Sequence, residues 1–158
     1  SHDTERILTT AKGDLQSVKS ALAFLYLQRG TPCIYYGTEL ALIGGPDPDC
    51  RRVMPWERVA ADNDMLNFMK ELIQLRKEVA GMIQYGKVSL EEVELDVVAV
   101  EWWHEGNMLK AYFNHSKKDF ILESGQADLI SLGSISDDRL IIQPNGFVIY
   151  REISISFL

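Results

Sequence analysis

A short apolar run, set between Gly-Thr-Pro and Gly-Thr-Glu within residues 30–39, constrains the fold of this chain more than any other stretch. Its centre, residues 32–36, is rich in aromatic and β-branched side chains, which is typical of a strand buried on both faces. Segments with helical spacing of apolar residues lie on either side. This order of helix, buried strand, loop and helix predicts part of a parallel α/β structure, in which polar loops at strand ends usually carry the chemistry.

Two helices are predicted beside this strand. The first runs over about residues 15–29, with Asp14 as its N-cap and Gly30 after its end. The second begins after the capping group at residues 62–64 and ends at Gly81. Residues 40–61 have no sustained period, so we expect a long loop there, and long loops inside compact domains are often functional.

One strand and two helices cannot bury an α/β core, because a parallel strand needs parallel neighbours to satisfy its backbone. We therefore expect residues 1–81 to be the end of a larger domain. If this piece stands alone, the apolar faces of residues 15–27 and 33–36 should remain as an exposed patch or associate with something else.

From residue 82 onward, short runs of strand-forming residues alternate with turn residues, a pattern that predicts an antiparallel sheet or sandwich over residues 82–158. The turns include Glu105-Gly106-Asn107, Ser124-Gly125 and Pro144-Asn145-Gly146. The predicted strands are residues 97–103, 108–113, 120–122, 129–132, 140–142 and 147–153. The acidic segment around Glu91, Glu92 and Glu94 is interpreted as a solvated face.

The composition limits the partners of the chain. Its net charge of −7 argues against nucleic acid, since phosphate binding needs a basic face. No apolar stretch approaches the roughly 18 residues that a membrane span requires. The two cysteines, Cys33 and Cys50, predict free thiols in a reducing cytoplasm, with Cys33 inside the buried strand.

Three motifs, in this order along the chain, resemble those of the α-amylase family of glycoside hydrolases. Ser-His-Asp-Thr-Glu-Arg at residues 1–6 is similar to the family's seventh barrel strand, and residues 30–39 are similar to the eighth. Gly-Gly-Pro-Asp-Pro-Asp-Cys-Arg-Arg-Val-Met-Pro-Trp at residues 44–56 resembles the following loop in the neopullulanase, cyclomaltodextrinase and maltogenic amylase subgroup. The resemblance implies the last part of a TIM-type (β/α)8 barrel in residues 1–81, followed by an all-β C-terminal sandwich.

The same resemblance implies an activity and a set of site residues. The activity is retaining hydrolysis of α-glucosidic bonds in maltodextrin, cyclomaltodextrin or pullulan. Asp3 resembles the family's third catalytic carboxylate, which stabilises the oxocarbenium-like transition state. His2 resembles the imidazole that binds the sugar beside it, and Asp47 and Arg51 resemble a pair that grips glucose units further along the substrate.

One departure from the family pattern limits what this chain can do alone. Retaining hydrolysis needs a nucleophile and a general acid/base about 5 to 5.5 Å apart. In the family both come from strands before the seventh, so we expect the isolated chain to be inactive. The resemblance leaves any calcium ion, and an N-terminal domain that would form a homodimer, to segments outside this chain.

Other interpretations of these residues stay open. Without the later motifs, His2 and Asp3 are ordinary surface residues, and Asp47 and Arg51 suit a turn as well as a sugar site. Glu39 is expected to order the strand end by hydrogen bonds.

The adjacent tryptophans 102 and 103 point to opposite faces of a strand, so one is core and the other is a surface aromatic or a sugar-stacking platform. His104 and His115 are expected to be exposed. The chain is alternatively a non-catalytic carbohydrate-binding or interaction module, or part of an α-1,6-glucosidase or glucosyltransferase.

Overall fold

A computed structural model of the chain describes residues 1–123, 130–136 and 139–153, with the helices preceding the strands. The helices are α1 (Ile7–Thr10), α2 (Leu15–Tyr26), α3 (Asp64–Glu78) and α4 (Ala80–Tyr85), with single 3-10 turns at Thr38–Leu40, Asp49–Arg51 and Trp56–Arg58. The strands are β1 (Lys87–Glu94), β2 (Val97–His104), β3 (Asn107–Asn114), β4 (Phe120–Glu123), β5 (Ile130–Ser131), β6 (Ser134–Ser136), β7 (Arg139–Ile142) and β8 (Phe147–Ile153). No helix among the described residues is long and apolar enough to cross a membrane.

Helix α2 begins where the sequence predicts. The Asp14 side chain accepts hydrogen bonds from the backbone amides of Gln16 and Ser17, at 3.0 and 3.2 Å, and so caps the first turn. The helix ends at Tyr26, three residues before the predicted end. Arg76 of α3 explains the early end, because its guanidinium donates to three carbonyls at and just beyond the end of the helix, those of Tyr26, Gln28 and Gly30, at 2.6, 2.7 and 2.6 Å.

Replacing Arg76 with lysine is expected to lower the free energy of unfolding by about 1–3 kcal/mol. A lysine ammonium lacks the planar fork that reaches several carbonyls at once, so two partly buried acceptors would lose a donor. Urea unfolding of the two proteins measures the difference. Arg58→Lys is the control, because Arg58 is exposed, and it should change stability by no more than about 0.5 kcal/mol. Equal losses in the two variants would contradict this capping role.

The predicted helix end at Gly81 is wrong. Helix α3 is capped by Asn63, whose side chain accepts from the Leu66 amide at 2.8 Å, and it ends at Glu78. Helix α4 then carries the chain through Gly81 to Tyr85. A Cβ at Gly81 would meet nothing within 4 Å, so neither space nor backbone conformation demands glycine there. The sheet begins at Lys87, and the division of the chain into 1–81 and 82–158 stays a prediction.

The strand predicted at residues 32–36 is also wrong for the chain as described. These residues are not helical, and they join no described strand in a ladder. Cys33, expected to be buried, is exposed, whereas Cys50 is buried. The physical reason is that a parallel strand forms only beside parallel neighbours, and the described residues supply none.

The prediction of antiparallel strands is confirmed. A five-stranded sheet has the order β1-β2-β3-β8-β5, and a three-stranded sheet has the order β4-β7-β6. All described strand pairs are antiparallel. Strands β1 and β6 were not predicted. All eight residues of β1 are exposed, so this edge strand lacks the alternation by which a half-buried strand is recognised. The predicted turn at Ser124-Gly125, and Leu129, lie outside the described residues.

The helices cover one face of the five-stranded sheet and share a single core with it. Residues from α2, α3 and α4 pack against β2, β3, β5 and β8 in one buried cluster. Trp102 is 1% exposed, and its indole Nε1 donates to the Leu27 carbonyl at 3.0 Å. A second cluster around Leu140, Ile142 and Val148 lies between the two sheets. The helical and sheet parts therefore form one packed body.

The N-terminus of α2 is tied to the sheet part. Asn145 Nδ2 donates to Asp14 Oδ2 at 2.9 Å, and Gln16 Nε2 donates to the Pro144 carbonyl at 3.1 Å. The Ser17 hydroxyl, with smaller contributions from the capping amides and Asn145, lowers the pKa of Asp14. The ionised carboxylate is thus favoured in the folded chain.

The stability that Asp14 contributes is expected to be present at neutral pH and lost as the pH falls below about 4. The sign follows because the folded pKa lies below the unfolded one, so acid protonates the cap. Urea unfolding of the native chain and Asp14→Asn, at pH about 7 and about 3, measures this. The difference in stability between the two should shrink in acid. A difference that is the same at both pH values would be the contrary result.

Candidate active site

His2 and Asp3 lie just before α1, and both side chains are largely exposed. His2 Nε2 is 3.1 Å from Asp3 Oδ2, and the Asp3 amide donates to Ser1 Oγ at 3.2 Å. A carboxylate accepts hydrogen bonds from hydroxyl groups, and an imidazole both donates and accepts. Two such groups side by side on the surface suit the recognition of a polyhydroxylated ligand.

The loop before and around the Asp49–Arg51 turn contains two acid–arginine pairs. Arg51 Nη2 lies 2.5 Å from Asp47 Oδ1, and both side chains are about half exposed. Arg52 makes a two-pronged contact with Asp49 at 2.7 and 2.8 Å, and the Gly45 amide donates to the same carboxylate. The Arg52 hydrogen bond, followed by that of Gly45, lowers the pKa of Asp49. Both pairs are thus about half exposed, and the Asp49 pair differs in also binding the backbone of its own loop at Gly45.

The His2–Asp3 pair and the Asp47–Arg51 pair are connected through the His2 carbonyl. This oxygen accepts from Arg51 Nε at 3.1 Å and from Cys50 Sγ at 3.0 Å. The His2 ring also lies 6.5 Å from the Tyr35 ring, centroid to centroid, at an angle of 52°. The structure thus brings together all four residues that the sequence predicts for the site, which are His2, Asp3, Asp47 and Arg51. Their roles toward a sugar stay predictions.

Arg6 and Tyr35 also lie in the motifs at residues 1–6 and 30–39, although the sequence predicts no role for either. Arg6 is 3% exposed, and its guanidinium carbon lies 4.2 Å from the centroid of the Tyr35 ring. A single arginine between polar and apolar residues has no periodic pattern that would reveal its burial. Glu39 was expected to order the strand end, but its Oε2 is buried without a hydrogen-bond partner among the described residues.

The two tryptophans divide as predicted, with Trp102 in the core and Trp103 38% exposed. His115 is exposed, as expected, whereas His104 is only partly exposed. Nowhere among the described residues do three His, Cys, Asp or Glu side chains come together as a metal site would require. No step of the chemistry below passes through a metal.

Comparison with known proteins identifies the chain. Residues 1–74 match the family model for the alpha-amylase catalytic domain. This chain belongs to the alpha-amylase family. The resemblance inferred from the three motifs is confirmed. The exposed pairs described above all lie within the matched residues.

Relatives in the family are much longer than this chain. The intracellular maltogenic amylase of Bacillus subtilis (strain 168) is 40% identical over 116 residues, which are 72% of this chain and 20% of that protein. The cyclomaltodextrinase of Thermoanaerobacter pseudethanolicus is 34% identical over 157 residues, which are 96% of this chain and 27% of that protein. The chain therefore spans between a fifth and just over a quarter of the length of these two relatives.

The fold agrees with the family as well. The crystal structure of maltogenic amylase from S. marinus superposes with a TM-score of 0.74 at 28% identity, covering 94% of this chain and 21% of that chain. A cyclic α-maltosyl-(1→6)-maltose hydrolase from Arthrobacter globiformis superposes with a TM-score of 0.78 at 22% identity, a likeness that concerns the fold alone. Helices and sheets of this chain thus have the arrangement found at matching parts of longer family members.

Proposed function

We propose that this chain is the C-terminal portion of a retaining α-glucan hydrolase of the neopullulanase and cyclomaltodextrinase type. The observation that carries the proposal is the contact of the His2–Asp3 pair with the Asp47–Arg51 pair through the His2 carbonyl, at 3.1 Å from Arg51 Nε. Two exposed acid–base pairs on one surface, in a chain of this family, suit a substrate with many hydroxyl groups.

In this proposal each side chain acts on the substrate by its ordinary chemistry. Asp3 lies under the sugar whose ring gains positive charge, and its carboxylate stabilises that charge in the transition state. His2 donates a hydrogen bond to the same sugar. Asp47 accepts from hydroxyl groups of glucose units further along the substrate, and Arg51 donates to them. The nucleophile and the general acid/base belong to strands outside this chain, so the chain alone does not hydrolyse.

Exposed apolar side chains support the assignment of residues 1–81 to the end of a (β/α)8 barrel. Residues 32–36 are not paired in a described ladder, and Cys33 and Leu25 are exposed on this side of the helices. A cavity of about 560 Å³ is lined there by Leu22, Ile34 and others. In the proposal, further strands and helices of the barrel cover this surface.

The complete gene product, purified from its natural source, tests the proposal. We expect an intact mass several-fold above the 17.9 kDa of this chain, and hydrolysis of maltodextrin, cyclomaltodextrin or pullulan by the complete protein but not by the chain. Product analysis separates this activity from that of an α-1,6-glucosidase or a glucosyltransferase. A mass near 17.9 kDa together with no hydrolysis would overturn the proposal. A cytoplasmic location and a homodimeric complete enzyme belong to the same proposal.

A second candidate function is a carbohydrate-binding module. Tyr85, 69% exposed, and Trp103 both line a cavity of about 400 Å³ where α4 joins β1. His104 and Asn107 line the same cavity, and the Tyr85 ring lies 6.3 Å from the His104 ring, centroid to centroid. Aromatic surfaces beside hydrogen-bonding groups suit a ligand with both apolar and hydroxyl-bearing faces.

Tryptophan fluorescence during titration with maltodextrin tests this second candidate in the isolated chain. The exposed Trp56 would also respond, so the experiment uses a Trp56→Phe background. Quenching that disappears in Trp56→Phe/Trp103→Phe would favour the module. No change in fluorescence at saturating maltodextrin would exclude binding at this cavity and leave the hydrolase proposal standing alone.

A further inference from the structure

Arg6 is buried and hydrogen-bonds to backbone carbonyls in three places along the chain. Its backbone amide donates to the Gly44 carbonyl at 2.9 Å. Its Nε donates to the Cys50 carbonyl at 2.7 Å, and its Nη1 donates to the Tyr36 carbonyl. Arg6 thus binds the loop that carries Asp47 and Arg51 at Gly44 and at Cys50. It also binds the end of the extended segment 32–36 at Tyr36.

The charge of Arg6 is not explained by an ion pair. None of its described neighbours is an acidic side chain in salt-bridge contact, and Nη2 is buried without an acceptor among the described residues. The rings of Tyr35 and Tyr36 lie 4.2 and 4.6 Å from the guanidinium carbon and partly offset the cost of burial. An apolar side chain would avoid burying a charge but would leave the Cys50 and Tyr36 carbonyls without this donor, so the forked donor itself is what the site requires.

The groups that Arg6 binds are next to the residues of the candidate site. Cys50, whose carbonyl accepts from Arg6, donates its thiol to the His2 carbonyl, and the adjacent Arg51 donates to the same oxygen. Gly44 also packs closely, since a Cβ there would lie 2.6 Å from the Asp49 carbonyl oxygen and 3.2 Å from Arg6 Cγ. The loop is therefore held between Arg6 on one side and His2 on the other.

We propose that Arg6 is a positioning residue that fixes the Asp47–Arg51 pair relative to His2 and Asp3. It does so through the Cys50 and Tyr36 carbonyls and does not touch the substrate. This inference rests on the proposed hydrolase function for its effect on activity, but its geometric content concerns this chain alone. A lysine at this position keeps the charge and cannot reach both carbonyls, because its ammonium is a single point on a flexible stem.

The first test measures hydrolysis of maltodextrin by the complete gene product carrying Arg6→Lys or Arg6→Ala. We expect kcat/KM to fall about 100-fold, mainly through a higher KM, since small misplacements of binding groups have effects of this size. Added methylguanidinium should restore part of the loss in Arg6→Ala. Arg29→Ala is the matched control, because Arg29 also donates to a carbonyl, that of Gly86, and lies over an aromatic ring far from the site residues in sequence.

The second test does not depend on activity. Alkylation of Cys50 in the native protein, followed by peptide mass spectrometry, reports whether the loop stays closed over this buried thiol. We expect labelling to be at least about tenfold faster in Arg6→Ala, to slow again there with methylguanidinium, to be faster than native in Arg6→Lys as well, and to be unchanged in Arg29→Ala.

The outcomes separate the two proposals. A complete protein that does not hydrolyse α-glucans removes the proposed function, while the labelling of Cys50 still decides the role of Arg6. Hydrolysis with unchanged KM and unchanged labelling in Arg6→Lys would overturn the positioning role alone. Equal effects of Arg6→Ala and Arg29→Ala, without rescue, would also overturn it, because they would indicate a general loss of stability. If Arg6→Ala does not fold, Arg6→Lys decides.

Discussion

Asp3→Asn is expected to lower the turnover of maltodextrin by the complete gene product at least about 100-fold, with little change in KM. The amide keeps the shape of the side chain but loses the negative charge that would stabilise the sugar cation in the transition state. Its effect should therefore fall on the chemical step more than on binding. Steady-state kinetics with maltodextrin measure both parameters.

Asp62→Asn is the control for this prediction, because Asp62 is an exposed aspartate outside the contacts of the site. It should leave turnover within about twofold of the native value. Circular dichroism and urea unfolding should show both variants folded as the native protein is, since Asp3 is exposed and supports no buried contact. Near-normal turnover in Asp3→Asn would refute the assignment of this carboxylate.

Trp102→Ala is expected to cost about 3–5 kcal/mol of folding free energy. The substitution leaves a large cavity between the helices and the five-stranded sheet, and it deprives the Leu27 carbonyl of its donor at 3.0 Å. The loss should appear in a single cooperative transition in urea, because helices and sheet share one core.

Trp103→Ala provides the comparison on the opposite face of the same strand. Trp103 is partly exposed, so its removal should cost only about 1 kcal/mol. Similar losses for the two variants, or separate transitions for helices and sheet, would argue that the shared core does not carry the stability of the chain.

Local sequence patterns predicted the helix ends and strands whose conformation depends on residues close by in the sequence. The Asp14 cap fixes the start of α2, and the alternating strands between turns were recognised from β2 onward except for the short strand β6. The end of α2 could not be read in the same way, because the donor that takes its carbonyls is Arg76, 50 residues from Tyr26. Strand β1 was not predicted, because an edge strand exposed on both faces needs no apolar alternation.

The candidate site shows the same division. Motifs located His2, Asp3, Asp47 and Arg51, and the structure brings them together. The atom that joins them is the His2 carbonyl oxygen, and a backbone carbonyl leaves no trace in the amino-acid sequence. Residues 32–36 have the composition of a buried strand, but a ladder depends on neighbours that a local pattern does not contain.

Both ends of α2 also contact residues that are made much later. Its first turn, capped locally by Asp14, is hydrogen-bonded to the side-chain amide of Asn145 and the carbonyl of Pro144, and the carbonyls at its end are bound by Arg76 and the indole of Trp102. On the ribosome, where segments emerge in order, the helix leaves the exit tunnel well before these partners. A premature stop codon ahead of position 144 would thus loosen a helix that lies more than a hundred residues upstream.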